Sequence, residues 1–339
     1  MTAQEGVNVV GDSGVPDISV VVPVYQEEEN IRPFLARLLP VLQAIGRYEV
    51  IFCLDPCRDR SEAVIREAMA EDPRIALLVF SRRFGQPAAT MAGIFNCRGA
   101  TCVVIDVDLQ DPPEVIARMY RALTDGGVDV VVAQRASRRG ETLLKRVVSY
   151  LGYKVINRIS EIEIPRNTGD FRIISRRVIE ALRGLNEGHG FLRGLVSFVG
   201  YSQQAIVYDR DERAAGRGKY NPFTGSFKIG LNGVFGFSTF PLSFLLWSGL
   251  VLFLISLLAI PVMFYNKLVL GQNYPMGIPT ITVLVLFMGG IQLMSVGILG
   301  QYIGRIYDEV RRRPQYIIEK AVNLPVRDDG SSTFGRLNR

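Results

Sequence analysis

At 339 residues the chain exceeds one average domain, and 39 Lys and Arg against 33 Asp and Glu leave a formal charge of +6. Counted with Gly and without Tyr, about 54% of it is apolar, above the roughly 45–50% of soluble domains. That content excludes disorder and collagen-like repeats and makes a purely water-soluble chain a poor description. Four Cys in this length do not make a disulfide framework, so the thiols are expected to be reduced.

Residues 1–17 are polar and acidic and lack the apolar stretch of a secretory signal, and are expected to be a tail. Ile18 to Val24 is a continuous apolar, β-branched run, followed by acidic Glu27 to Glu29 and a helical pattern through Ile31, Leu35, Leu38, Leu39 and Leu42. A buried parallel strand feeding a helix is the natural reading. The unit repeats: strands are predicted at Glu49 to Leu54, Ile75 to Phe80, Cys102 to Asp106 and Val128 to Ala133, and helices near Ser61 to Ala70, Pro87 to Cys97 and Pro113 to Leu123. Such alternation predicts an open, mostly parallel α/β sheet, in which ligands bind beyond the carboxyl ends of the strands.

The densest chemistry follows the fourth strand. Asp106-Val107-Asp108-Leu109-Gln110-Asp111-Pro112-Pro113 puts three carboxylates and an amide on one turn. Such oxygen donors suit a hard divalent cation, Mg²⁺ or Mn²⁺, that keeps waters and bridges substrate phosphates; solvated acids with Asp111 capping the next helix are the alternative. No Walker-type run or G-x-G-x-x-G follows the first strand, so any phosphates would be held by metal and cations. The sole histidine, His189, excludes a histidine-rich zinc centre and disfavours a Ser-His-Asp triad. Cys53 and Cys102 lie in apolar runs and read, with Cys57 and Cys97, as small buried hydrophobes.

Cations come next along the chain: Arg135, Arg138, Arg193, Arg213, Arg217 and Lys219. The guanidinium fork suits a phosphate, and a solvated or lipid-facing surface is the competing reading. Phe223, Phe227, Leu231 and Phe235 then form a helical apolar stripe, expected as an interfacial helix although Gly225, Gly230, Gly233 and Gly236 weaken it. Residues 240–265 and 277–303 are uncharged over 26 and 27 positions, each long enough as a helix to cross a hydrocarbon core of roughly 30 Å. The connecting loop carries only Lys267, whereas Lys228, Arg305, Arg311, Arg312 and Arg313 flank the pair, which puts both termini in the cytoplasm. The expected division is a catalytic domain at 18–215, a loop and interfacial helix at 216–239, a transmembrane hairpin at 240–303 and a basic tail at 304–339.

Val20-Val21-Val22-Pro23-Val24-Tyr25-Gln26-Glu27-Glu28-Glu29-Asn30, the Asp106 to Pro113 turn, Asn167-Thr168-Gly169-Asp170-Phe171-Arg172 and Phe191-Leu192-Arg193-Gly194-Leu195 together resemble family 2 glycosyltransferases. With two C-terminal spans the resemblance is to the polyprenyl-phosphate group, the bactoprenol glucosyltransferases and dolichol-phosphate mannose synthases, from about Ile18 to Arg313. It implies a GT-A fold and a metal-dependent enzyme that moves a sugar from a nucleotide donor to a lipid phosphate with inversion. By position it implies nucleoside contacts at Pro23, Tyr25 and Glu27, a base-contacting acid at Asp55, metal and diphosphate ligation by Asp106, Asp108 and Gln110, and a reaction-centre acid at Asp170. Arg213, Gly216, Gly218, Lys219 and Tyr220 correspond to a mobile loop that closes over phosphates. Two departures stand out: Leu54-Asp55-Pro56-Cys57 replaces the family's paired acids and Gly-Ser, leaving the nucleotide base open, and Gln26 stands where Asn is usual.

The chemistry also follows from first principles. Cleaving a sugar diphosphate develops charge on the leaving group, which a divalent cation stabilises. A lipid monophosphate, with a second pKa of about 6, is already an anionic nucleophile at neutral pH. Asp170 is then expected to orient the acceptor or balance oxocarbenium charge, a structural cap before Phe171 being the alternative. The expected partners are a nucleotide sugar (UDP-glucose foremost), undecaprenyl or another polyprenyl phosphate and the lipid bilayer, with no nucleic acid; glycines in the second span hint at a homo-oligomer. The expected location is the inner membrane. GDP-mannose or an aminoarabinose-type donor, or a non-catalytic membrane scaffold, are the open alternatives.

Overall fold

Ile18–Val24 forms β1, buried along its length except at half-buried Pro23, and hands the chain to α1 (Glu28–Ile45), whose Ile31, Phe34, Leu35, Leu38 and Leu42 turn inward at helical spacing. The computed structural model describes residues 14–136, 168–185, 192–211, 278–311 and 313–324, with isolated residues between 242 and 269. After α1 come β2 (Tyr48–Leu54), α2 (Ser61–Glu71), β3 (Ile75–Phe80), α3 (Gln86–Asn96), β4 (Thr101–Val104), α4 (Val115–Gly126) and β5 (Val130–Arg135). They are followed by β6 (Thr168–Ser175), α5 (Arg176–Gly184), α6 (Leu192–Phe198), β7 (Gln203–Tyr208), α7 (Ile278–Val310) and β8 (Ile318–Val322).

The eight strands form one sheet in the order β7-β5-β6-β4-β1-β2-β3-β8. Its β3-β2-β1-β4 part is parallel, β6 runs antiparallel to both β4 and β5, β7 is parallel to β5, and β8 closes the β3 edge antiparallel. The result is a GT-A-like mixed α/β sheet. β2 and β3 are buried at every residue, which is why their sequences read as apolar runs without alternation. β1 has β2 on one side and β4 on the other, so the topological switch point, and with it a crevice, lies beyond the carboxyl ends of β1 and β4. On one face of the sheet, Val20, Val22, Phe34, Leu38, Phe52, Ile116, Met119 and Phe171 belong to one core. Each large side chain buried there stabilises the fold by roughly 1.5–3 kcal/mol. α3 comes so near β1 that a Cβ at Gly93 would lie 2.3 Å from Val21 Cγ1 and 2.8 Å from Cys53 Sγ, an approach only glycine permits.

The elements expected from periodicity are present with small shifts at their ends. β5 starts at Val130 because Gly127, at φ 63°, ends α4 in a left-handed turn that also takes up Val128. α4 starts at Val115, since Pro112 and Pro113 belong to the turn before it. The periodicity gave no sign of β6, β7 or β8, whose Asp170, Arg172, Gln203, Gln204, Glu319 and Lys320 interrupt the apolar patterns.

The chain divides into two compact units. One comprises 1–141, 165–219 and 314–339 and holds the sheet, so residues 318–322, expected as tail, are a strand of it. The other comprises 142–164 and 220–313 and holds α7, which covers the second expected span, runs on to Val310 and exposes Ile281, Leu284, Val285, Leu293 and Val296. Among the described residues no helix is long and apolar enough to cross a membrane. The interfacial stripe at 223–235 and most of the first expected span lie outside the described residues.

Candidate active site

Tyr25, Gln26 and Glu27 follow β1, and main-chain donors knit their loop to the one after β2. Gln26 N donates to Cys57 Sγ (3.0 Å), the Cys57 thiol donates to Asp55 O (3.0 Å), and Glu27 N donates to Ser61 Oγ (3.0 Å). The Glu27 carboxylate accepts from Asn30 Nδ2 at 2.6 Å. Gln26 has φ 55°, a left-handed conformation uncommon outside Gly and Asn. Arg83, beyond β3, lays its guanidinium 3.9 Å from the centre of the Tyr25 ring. Asp55 is buried, and its two oxygens accept from Phe84 N and Gly85 N, both at 2.9 Å, so it ties the β2 and β3 ends together at the place where the resemblance puts a base contact.

β4 leads into the acidic turn. Asp106 accepts from Gln86 Nε2, at the start of α3, at 2.7 Å. Burial, and then the neighbouring Asp108, Asp170 and Asp111, push the Asp106 carboxyl up to about 7, with Arg210 opposing them. Asp108 accepts from Gln110 N at 3.1 Å, and between them Leu109 takes φ 58°, a second non-glycine left-handed residue at this end of the sheet. Asp211 N donates to Gln110 O at 3.0 Å and ties the turn to the segment after β7.

Asp170 reaches the same place from the other direction. β6 is antiparallel to β4 with Arg172 opposite Val104, and beyond that last pair Asp170 lies near enough to Asp106 to push its carboxyl up. Its carboxylate accepts from Arg193 Nε of α6 at 2.9 Å. Burial favours the neutral acid, but Arg193, Arg172 and Arg135 outweigh it and hold the carboxyl below its usual range. Arg172 is buried and donates to Gly169 O at 3.0 Å; burial pushes its guanidinium down to about 10, against the pull of Asp170.

Arg135, at the carboxyl end of β5, stands beside Gly169, Tyr208 and Asp111. Of the residues expected at this site, Pro23, Tyr25, Glu27, Asp55, Asp106, Asp108, Gln110, Arg135, Asp170 and Arg193 are described, while Arg138, Arg213 and Lys219 lie outside the described residues. Gln86, Arg83, Arg172, Tyr208 and Arg210 were not anticipated. Gln86 and Arg83 follow β3, where the strand-end rule already directed attention; Tyr208 ends the unforeseen β7 and Arg210 lies two residues beyond it.

Among the described residues no three His, Cys, Asp or Glu side chains form a set that could hold a metal ion. Two carboxylates and an amide nonetheless fit Mg²⁺ or Mn²⁺, which take one or two protein carboxylates and fill their octahedron with water and substrate phosphate. Burial first, and then the neighbouring acids, raise the Asp106 carboxyl, and a cation bound there would offset both.

A mixed α/β sheet with clustered acids beyond β4 is the frame of a GT-A-type glycosyltransferase. The profile of glycosyl transferase family 2 matches residues 19–183. The SfII prophage-derived bactoprenol glucosyl transferase of Shigella flexneri is 41% identical over 306 residues, covering 90% of this chain and 98% of that protein. The uncharacterized glycosyltransferase YkcC of Bacillus subtilis is 40% identical over 307 residues, covering 90% and 94%. Among solved structures, the mannosyltransferase PcManGT from Pyrobaculum calidifontis, in complex with GDP-Man and Mn²⁺, is similar over 91% of each chain at 17% identity and a TM-score of 0.46. The chain belongs to glycosyl transferase family 2 and is a glycosyltransferase.

Proposed function

We propose that the protein transfers a hexose, glucose from UDP-glucose in the first instance, to undecaprenyl or another polyprenyl phosphate with inversion, at the cytoplasmic face of the inner membrane. The observation that carries this reading is the meeting of Asp106, Asp108 and Asp170 with Arg193 and Arg135 at one end of the sheet. Acids there suit the metal-bound diphosphate of a donor, and guanidiniums suit a second phosphate. The bactoprenol glucosyl transferases among the relatives support a polyprenyl acceptor.

Asp106 and Asp108 with Gln110 would hold Mg²⁺ or Mn²⁺, which when bound neutralises charge developing on the leaving diphosphate. Gln86 fixes the Asp106 carboxylate through its amide. Asp170, kept ionised by its arginines, is suited to balance positive charge at the anomeric carbon and to orient the acceptor, whose phosphate needs no base. Tyr25, Pro23, Glu27 and Asp55 take the nucleoside side, and Arg193 with Arg135 the acceptor phosphate, joined by Arg138, Arg213 and Lys219. The membrane location rests on the uncharged runs at 240–265 and 277–303 and on the apolar side chains α7 exposes.

The test is a panel of radiolabelled UDP, GDP and other nucleotide sugars with undecaprenyl phosphate and Mn²⁺, with products extracted into organic solvent. UDP-glucose should give a lipid-soluble, acid-labile product. Transfer from another donor instead would reassign the sugar, and no transfer from any donor would leave a scaffold.

A further inference from the structure

Asp111 is the third carboxylate of the acidic turn, and its surroundings set it apart from the other two. It is 3% exposed, and a single oxygen, Oδ1, accepts the Tyr208 hydroxyl and forms ion pairs with Arg210 Nε at 3.5 Å and Arg135 Nη2 at 3.8 Å. Arg135 Nε also points at the Tyr208 hydroxyl, 3.4 Å away. Tyr208 is buried and braced edge-to-face on Phe171 at 5.8 Å, so the anchor itself has little freedom. Parallel pairing sets Arg135 opposite Tyr208 at the carboxyl ends of β5 and β7, which fixes where both arginines emerge. One carboxylate cannot neutralise two guanidiniums. The side chains of Arg135 and Arg210 remain 30% and 31% accessible while the carboxylate is 4% accessible, so both guanidiniums keep donors that Asp111 does not use.

We propose that Asp111, held by Tyr208, is a positioning residue that sets Arg135 and Arg210 side by side as a clamp for the phosphate monoester of the acceptor; this rests on the reading above that the acceptor is a lipid phosphate. A phosphate monoester dianion offers three oxygens to the donors of two forks. Arg210 is thereby added to the acceptor site. Asp111 contributes by orientation, not by ligating the cation held by Asp106 and Asp108.

The experiment uses the full-length protein in detergent or nanodiscs and reads KM for undecaprenyl phosphate, KM for the donor, and binding of farnesyl phosphate by calorimetry without donor or metal. Arg210→Gln and Asp111→Asn, which keeps an oxygen for Tyr208, should each raise the acceptor KM and the farnesyl phosphate Kd about tenfold, with donor KM and Mn²⁺ half-saturation within about twofold. Tyr208→Phe should raise both by about two- to threefold. The double variant should lose less than the product of the two single losses, because part of what Asp111 does passes through Arg210. Additive losses, a rise in donor KM in place of acceptor KM, or equal farnesyl phosphate binding by wild type and Arg210→Gln would each overturn the clamp. If Asp111→Asn folds poorly, Arg210→Gln and Tyr208→Phe still decide the matter. Failure of the wild type to use any lipid phosphate would overturn the functional reading instead, while the farnesyl phosphate measurement continues to judge the clamp.

Discussion

The two ends of the sheet hold carboxylates in opposite circumstances. At the amino end Glu49 is 1% exposed, and its oxygens accept from Ser19 Oγ (2.6 Å), Arg98 N (2.6 Å) and Arg98 Nε (2.7 Å), while Gly99 N closes the network onto Ser19 Oγ at 2.8 Å. At the carboxyl end Asp106 has a glutamine amide at 2.7 Å and three acids nearby, and its carboxyl is pushed up to about 7 by burial and by those acids. Gln26 and Leu109 take left-handed conformations at this end as well, at roughly 1–2 kcal/mol each. The same functional group stabilises the fold where its lone pairs are filled by the chain and strains it where they are kept for a ligand. That contrast sets the candidate site apart without reference to any relative.

The contrast can be broken by exchanging its terms. Asp108→Ala should lower turnover about a thousandfold or more while the thermal midpoint holds, whereas Glu49→Ala should lose about 3 kcal/mol in urea unfolding with kcat/KM per folded molecule unchanged. Retained activity in the first variant removes the metal assignment. The pH dependence of the ligand-free protein is the next largest effect. A carboxyl raised to about 7 binds a proton in the folded state that the unfolded chain has released, so stability should fall as pH rises from about 4 to 7, and Asp106→Asn should flatten that slope. Mn²⁺ affinity should drop up to about tenfold per pH unit below about 7, because proton and cation compete for Asp106; calorimetry at three pH values decides it. Smaller still, Arg193→Ala should let the Asp170 carboxyl rise, moving the acid limb of the pH–kcat profile upward and raising acceptor KM; if both stay put, Arg193 is a packing residue. Least of all, Gln26→Asn should add about 0.5 kcal/mol, since Asn tolerates φ 55° better, with the unfolding midpoint as the readout.

Periodicity made β1 to β5 and α1 to α4 legible because their apolar residues fall on one face or fill a doubly buried strand. It missed β6 because Gly169, Asp170 and Arg172 break the apolar run, although the strand lies inside the sheet. The rule that chemistry sits at carboxyl strand ends found Asp106 and Asp108 but does not account for Asp170, which reaches the same crevice from the amino end of an antiparallel strand. The family resemblance supplied that residue. Asp111 was readable only as a metal-turn acid or a helix cap, since its partners Tyr208 and Arg210 lie some hundred positions away, at the end of and just beyond a strand with mostly exposed side chains.

β7 and β8 belong to a single sheet, yet a hundred or so residues separate Arg210 from Pro314. The last edge strand can join only after that whole stretch has been synthesised, which makes sheet completion a late event in the birth of the chain.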